Sequence, residues 1–402
     1  MNIRWIWENI VGKRQSVDKK QWLFSSFSGA YSDNPKALSE VVHRMYPDIK
    51  IIWALRENEL LSCPEYVKSV EIYSEEYYQY RNSSGVIIDN VWGDSIKRLY
   101  SNRHIYNLKS RISLFLIKRK NQKVYSLWHG TPLKKIDRDQ FGNEDICGII
   151  RNDIKLFVGN EHTTKIMKWN TFERIPIMNI GMSRNDILFS DDDVNLIKTR
   201  LKLPTNKKVV LFAPTFRNDG KDVEGKNIQR SGLNQISGII FDELFASLKK
   251  RFGGEWIFVC RFHYHVSNLV DWDELENKYP GKVVNGNNSS DMAEYLKCTD
   301  VLITDASSSM FDFALTYKPC FLFFPDIDNY LNKERGTYID PYSLPFKTSK
   351  SFKALVEDIE MFDYERYKFQ VDKLLSNLGN TDDGHASERI AKYIYEENIK
   401  HR

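Results

Sequence analysis

Short apolar runs alternate with amphipathic stretches along most of this chain, and that alternation predicts a series of strands and helices. The runs at 22–27, 49–55, 86–89, 124–128, 154–158 and 175–180 are rich in Ile, Val, Leu and aromatic residues, and each is too short to be a buried helix. Between the first two, the turn-rich stretch 28–35 leads into a helix starting near Pro35, with Leu38, Val41, Val42 and Met45 on one face. After a polar connector through Ser190 and Asp191 to Asp193, a second series begins at 209–213 and continues through 256–260, 283–284, 301–304 and 320–324. Residues 218–234 read as a polar loop. This repeated βα rhythm predicts an α/β protein of two Rossmann-like, doubly wound parallel-sheet domains facing a cleft, a GT-B-like architecture. The expected division is 1–188 and 189–402, with the last helical stretch, 387–400, crossing back to the first domain. The Gly-x-Gly-x-x-Gly fingerprint of dinucleotide binding is absent, which argues against a nicotinamide reading.

The stretch 300–325 carries the densest candidate chemistry. A buried strand ends at Thr304 and Asp305, Ser307, Ser308 and Ser309 follow as N-cap candidates, and Met310, Phe311, Phe313 and Ala314 start a helix. Such a loop offers hydroxyls and backbone N–H groups at the carboxyl edge of a sheet, where phosphates are held; it equally serves as a plain helix cap. Four more loops fall at strand ends: 128–134 with His129, Gly130 and Thr131; 213–217 with Thr215 and Arg217; 261–265 with Arg261 and His263 on one side of an extended segment; and 335–338. His, Arg, Ser and Thr at successive strand ends match a diphosphate. No clustered carboxylates or Cys/His spacing suggests a metal, and no cofactor is expected.

Composition narrows the class. The 402 residues are 42% hydrophobic and 28% charged, ordinary for a globular protein, and the net charge of +4 implies no general nucleic-acid affinity. Charge is nonetheless concentrated between Lys97 and Arg138, where Asp137 is the one acid. That segment suits a phosphate-rich polymer, an anionic membrane surface, or simply a solvated face. Within it, 105–118 is amphipathic. Five cysteines without close pairing predict reduced thiols in a cytoplasmic protein. Nothing near Met1 reads as a signal peptide and no run reaches the length of a membrane span, so any membrane contact is expected to be peripheral, on the inner face.

With these stretches in place, the sequence resembles the CDP-glycerol glycerophosphotransferases, the teichoic-acid primases and polymerases, together with their capsule-polymer relatives. The resemblance rests on Ser-Gly-Ala-Tyr-Ser-Asp-Asn-Pro-Lys (28–36), Trp-His-Gly-Thr-Pro-Leu-Lys (128–134), Gly-Met-Ser-Arg-Asn-Asp (181–186), Ala-Pro-Thr-Phe-Arg (213–217) and Arg-Phe-His (261–263). It continues through 291–313, Arg-Gly-Thr-Tyr (335–338) and Asp-Gly-His-Ala-Ser-Glu-Arg (383–389), so it covers nearly the whole chain. The chain departs from the family pattern at Tyr264, at Met182-Ser183 and at Ala306.

The resemblance implies transfer of a polyol phosphate from a CDP-polyol donor, held by the C-terminal domain, to a hydroxyl of a lipid-linked or polymeric acceptor, with release of CMP. It implies His129 as base, His263 and Arg261 on the diphosphate, and Arg217 as a further clamp. Gly130, Thr131, Arg184, Thr215, Thr304, Asp305, Ser307, Ser308 and Ser309 complete the expected substrate contacts. Asp312 belongs either near the nucleotide or to the buried side of its helix. Glycerol is the expected polyol, with ribitol an alternative. Two other classes stay open at this point: a GT-B nucleotide-sugar glycosyltransferase and a catalytically silent polymer-binding subunit.

Overall fold

The computed structural model describes residues 16–27, 29–91, 121–136, 139, 154–171, 175–215, 236, 238–262, 272–287, 289, 291–334 and 336–400. The amphipathic stretch 105–118, most of the basic segment, Arg217 and His263 lie outside the described residues.

The chain divides into two compact units. The first comprises residues 1–130, 137–189 and 380–402, and the second 131–136 and 190–379. The first is built on a seven-stranded sheet: β1 (Asp18–Phe24), β2 (Lys50–Leu55), β3 (Lys68–Glu71), β4 (Ser84–Asp89), β5 (Lys123–Ser126), β6 (Ile154–Val158) and β7 (Ile177–Asn179). The second has six strands: β8 (Lys208–Ala213), β9 (Trp256–Cys260), β10 (Val283–Asn285), β11 (Val301–Thr304), β12 (Cys320–Phe323) and β13 (Lys347–Ser349). Their orders are β3-β2-β1-β4-β5-β6-β7 and β10-β9-β8-β11-β12-β13, and every pairing is parallel. Both sheets therefore wind outward from a central pair, β1/β4 in one and β8/β11 in the other. In such sheets the crevice outside the carboxyl ends of that pair is where ligands bind.

The expected strands are present with ends moved by a few residues. Two strands were not expected, β3 (Lys-Ser-Val-Glu) and β13 (Lys-Thr-Ser). Both are short sheet-edge strands with polar residues, and an edge buried on fewer sides needs no apolar run.

Central strands are buried on both faces, as parallel sheets require. In the first unit Trp22, Phe24, Trp53, Tyr125 and Phe157 pack with Leu38 and Val42 of α1 (Asp33–Met45) and with Ile390 and Ile394 of the C-terminal helix α2 (Ala386–Tyr395). The chain's last segment is thus part of the first unit's core. Its attachment explains two of the sequence motifs. Asp186 accepts hydrogen bonds from the N–H groups of Ala386 (2.9 Å) and Ser387 (2.8 Å), capping α2 from another segment. Burial raises the pKa of the Asp186 carboxyl in spite of those bonds. Arg389 donates to Asp383 (2.7 Å) and to the carbonyl of Ile180, while Asp382 accepts from the Met182 N–H at 2.7 Å. A Cβ on Gly181, which has φ +96°, would meet Ala386 at 2.7 Å. Motifs 181–186 and 383–389 therefore form one structural junction.

Candidate active site

At the carboxyl end of the first unit's central strand pair, three segments meet around one asparagine. Asn90 follows β4 directly and is fully buried. Its side-chain amide donates to Ser26 Oγ (3.0 Å), in the loop after β1, and to Asp33 Oδ1 (3.1 Å), the first residue of α1. Its side-chain oxygen accepts from the Phe27 N–H at 3.3 Å. Its main-chain carbonyl lies 2.9 Å from Nδ1 of His129. A carbonyl only accepts, so Nδ1 carries the proton in this contact, and the lone pair of neutral His129 sits on Nε2.

Around this centre the backbone is strained. Phe27 (φ +40°), Asp33 (φ +63°) and Trp128 (φ +51°) are non-glycine residues in the left-handed region, a conformation costing about 1–3 kcal/mol each that is kept where surroundings enforce it. Gly130 has φ +133°, open to glycine alone at little cost. The enforcing contacts are visible. The Asn34 amide donates to the carbonyls of Leu127 (3.2 Å) and Trp128 (3.0 Å), holding the His129 loop, and its oxygen accepts from the Arg184 N–H at 2.9 Å. Arg184 Nη1 donates to Asp33 Oδ2 at 2.6 Å, in an ion pair that is largely buried. The His129 ring lies against Trp128 (centroids 4.1 Å apart) and edge-on to Phe27 (5.9 Å), and it remains partly exposed.

After Gly130 the chain joins the second unit. There Lys134 bridges Thr337, with Tyr338 N–H donating to the Leu133 carbonyl (2.7 Å) and Lys135 N–H to that of Gly336 (2.9 Å). Thr131 is buried in this segment. Residues 336–338 accordingly anchor the segment that continues the His129 loop.

In the second unit the matching position, outside β8 and β11, holds Thr215 and Asp305. The Thr215 N–H donates to Asp305 Oδ1 at 2.7 Å, and Thr304 Oγ1 to the Ala213 carbonyl at 2.6 Å, so the two loops are tied across the switch point. Thr304 and Asp305 are fully buried. Of the three serines, Ser308 occupies the position before the helix Ser309–Ala314 but has helical backbone angles and makes no side-chain cap. Ser307 does the local work: its Oγ accepts from the Ser309 N–H (3.3 Å) and pairs with Ser309 Oγ (2.9 Å). Asp312 is buried on that helix.

Arg261, at the end of β9, is oriented toward the neighbouring loop. Its Nη1 donates to the carbonyls of Gly286 (2.7 Å) and Ser289 (2.6 Å), and its guanidinium stacks over the Tyr295 ring at 4.9 Å. Burial pulls its pKa below the ordinary arginine value, against the opposing pull of Tyr295, Asp291 and Glu294, and it stays charged. A Cβ on Gly286 would come within 2.8 Å of Val259 Cγ1, so the loop needs glycine there.

Among the described residues no group of three or more His, Cys, Asp or Glu is placed to hold a metal, and no helix is long and apolar enough to cross a membrane. The described cysteines, Cys63, Cys260, Cys298 and Cys320, are free thiols. The residues that sequence reasoning left without a role are Asn90, Asp33 and Asn34. The one signal available was their position, directly after a buried strand or at the start of the first helix.

Two Rossmann-type units in one chain, each with its polar loops gathered at the switch point, define a GT-B-like protein. The model of the family CDP-glycerol:poly(glycerophosphate) glycerophosphotransferase matches residues 9–396, and this chain belongs to that family. It is 29% identical over 416 residues to a teichoic acid poly(glycerol phosphate) polymerase of Staphylococcus epidermidis, covering 97% of this chain and 52% of that polymerase. It is 27% identical to a teichoic acid glycerol-phosphate transferase of Staphylococcus aureus, over 92% of each chain. A solved structure of the wall teichoic acid polymerase TagF, a histidine-to-asparagine variant soaked with CDPG, superposes with a TM-score of 0.76 at 26% identity, covering 99% of this chain and 97% of that one. The chain spans about half the length of the polymerases it matches.

Proposed function

We propose that this chain transfers glycerol phosphate from CDP-glycerol to a hydroxyl of a cell-wall or capsule polymer acceptor, releasing CMP. The observation that carries this reading is the family match over residues 9–396. The CDPG soak of TagF supports the choice of donor. In the proposed step the acceptor oxygen attacks the glycerol-bearing phosphorus in line. A new O–P bond forms, the phosphoanhydride P–O bond breaks with its electron pair leaving on CMP, and the acceptor proton passes to a base. His129 is that base, because its Nδ1 is held by the Asn90 carbonyl and Nε2 carries the lone pair. Phosphate charge in the transition state falls to the second unit's strand-end groups, with His263 and Arg217 as its cationic candidates and the loops of Thr215, Asp305 and Ser307–Ser309 as hydrogen-bond donors. Arg261 contributes by holding the 286–289 loop in shape.

The test is incubation with CDP-glycerol, CDP-ribitol and candidate acceptors, reading CMP release and product mass. CMP with a product heavier by one or more glycerol phosphates is the expected result. Release of a nucleoside diphosphate from a nucleotide sugar would instead identify a glycosyltransferase, and turnover indifferent to His129 would point to a polymer-binding subunit. We also propose that the enzyme works at the inner membrane surface, the basic amphipathic stretch 105–118 resting on anionic lipid. Sedimentation with acidic vesicles that showed no binding at low salt removes that part.

A further inference from the structure

Resting on the reading of His129 as base, we propose that Asn90 is its positioning residue, selecting the tautomer and aiming the ring through a main-chain carbonyl that the Asn90 side chain locks in place. The carbonyl is the acceptor for Nδ1–H at 2.9 Å. A strand-end carbonyl next to a loop is ordinarily free to tilt by rotation of its peptide plane. Here the residue bearing it is fully buried, and its amide is bonded to Ser26, Asp33 and Phe27 in two other segments. Those bonds hold the Cα and Cβ of residue 90, from which the carbonyl projects, and so limit how far it can swing away from His129. The amide group is uniquely suited to this node, since it donates twice and accepts once within one planar group. Asp in its place loses both donors and sets a second carboxylate against Asp33, and Ala removes all three bonds, two of them to the buried Ser26 and Asp33.

The experiment compares wild type, Asn90→Ala, Asn90→Asp, His129→Ala and the double variant Asn90→Ala/His129→Ala, using CDP-glycerol and a polymer acceptor over a pH series. Asn90→Ala is expected to lower kcat by roughly ten- to a hundredfold, the scale of a misplacement near 1 Å, with donor KM within about twofold of wild type. The double variant should be no slower than His129→Ala alone. In parallel, nitrogen-15 spectra of histidine-labelled wild type, assigned by loss of the His129 signal in His129→Ala, should report the Nδ1–H tautomer. That readout needs no variant of Asn90 to fold. An Nε2–H tautomer overturns the proposal, as does an Asn90→Ala enzyme with unchanged kcat beside an inactive His129→Ala. If His129→Ala itself retains normal turnover, the base assignment falls and the positioning role with it; that outcome is distinguishable because it appears without any change at Asn90.

Discussion

The two units share a topology and use it differently. In both, the sheet winds outward from a central strand pair, and polar loops collect at the carboxyl ends of that pair. In the first unit the side chains of Asn90, Asn34, Asp33 and Arg184 bond to one another and to main-chain groups, forming a strained frame around one partly exposed histidine. In the second unit the corresponding ties run largely from side chain to main chain: Asp305 to the Thr215 N–H, Thr304 to Ala213, Arg261 to Gly286 and Ser289. A base must be aimed to within a fraction of an ångström, which favours a rigid side-chain frame. An anion site needs many N–H and O–H groups pointing inward, which favours loops shaped from within. On the proposed reading, the same architecture yields a histidine held partly by side-chain-to-side-chain bonds on one sheet and loops tied mainly to main chain on the other.

The largest effect that tests this contrast is at His129. His129→Ala should lower turnover by roughly two to four powers of ten with little change in donor affinity. Loss of donor binding with near-normal turnover at saturation would turn the histidine into a binding residue and erase the contrast. Arg184→Ala should come next. It leaves Asp33 charged and buried at a strained position, at a cost of about 3 kcal/mol or more of stability. Thermal unfolding should register that loss, with turnover falling because the His129 loop is loosened. A variant that unfolds normally but has a raised donor KM would show that Arg184 contacts substrate, as the sequence motif alone suggested.

How far such roles are legible in sequence differs between the two nodes. Strand positions were readable because doubly buried parallel strands are short continuous apolar runs; β3 and β13 escaped because edge strands carry polar residues. The place of His129 at a strand end was readable because Gly130-Thr131-Pro132 can only be a turn after an apolar run. Its support was not, since Asn90 and Asp33 are 57 residues apart and only the fold joins them. Arg261 was read as a phosphate ligand because arginine at a strand end suits an anion. That Arg261 also donates to the main-chain carbonyls of Gly286 and Ser289 leaves no mark in the side-chain sequence.

Arg261 therefore supplies a third, smaller test. Arg261→Lys keeps the charge but loses the planar fork that reaches two carbonyls and stacks on Tyr295. The expected outcome is a loss of about 1.5–3 kcal/mol of stability, the scale of a charge-assisted bond, together with weaker donor binding as the 286–289 loop loosens. Unchanged unfolding with weakened donor binding would mean the guanidinium meets the phosphates directly.

The smallest expected effect comes from the opposite edge of the first sheet and asks whether chemistry is confined to the carboxyl edge. At the amino ends of β5 and β6, Glu397 accepts from Tyr125 OH at 2.9 Å and from Lys155, with Lys123 3.5 Å away. Burial pushes the Glu397 carboxyl up, but the hydrogen bonds from Lys155 and Tyr125 outweigh it, and its pKa lies below the ordinary value of 4.5. A carboxyl depressed in the folded state stabilises the fold above its unfolded pKa, and that contribution is lost as pH falls through the folded value. Glu397→Gln should therefore cost about 1 kcal/mol at neutral pH, and the difference from wild type should shrink below about pH 4.5. Denaturant unfolding of the pair at pH 7 and pH 3.5 measures it, and turnover of the folded variant at pH 7 should match wild type. A turnover defect in a variant of normal stability would show that the amino edge of the sheet communicates with His129, and the division between a chemical edge and a structural edge would fail.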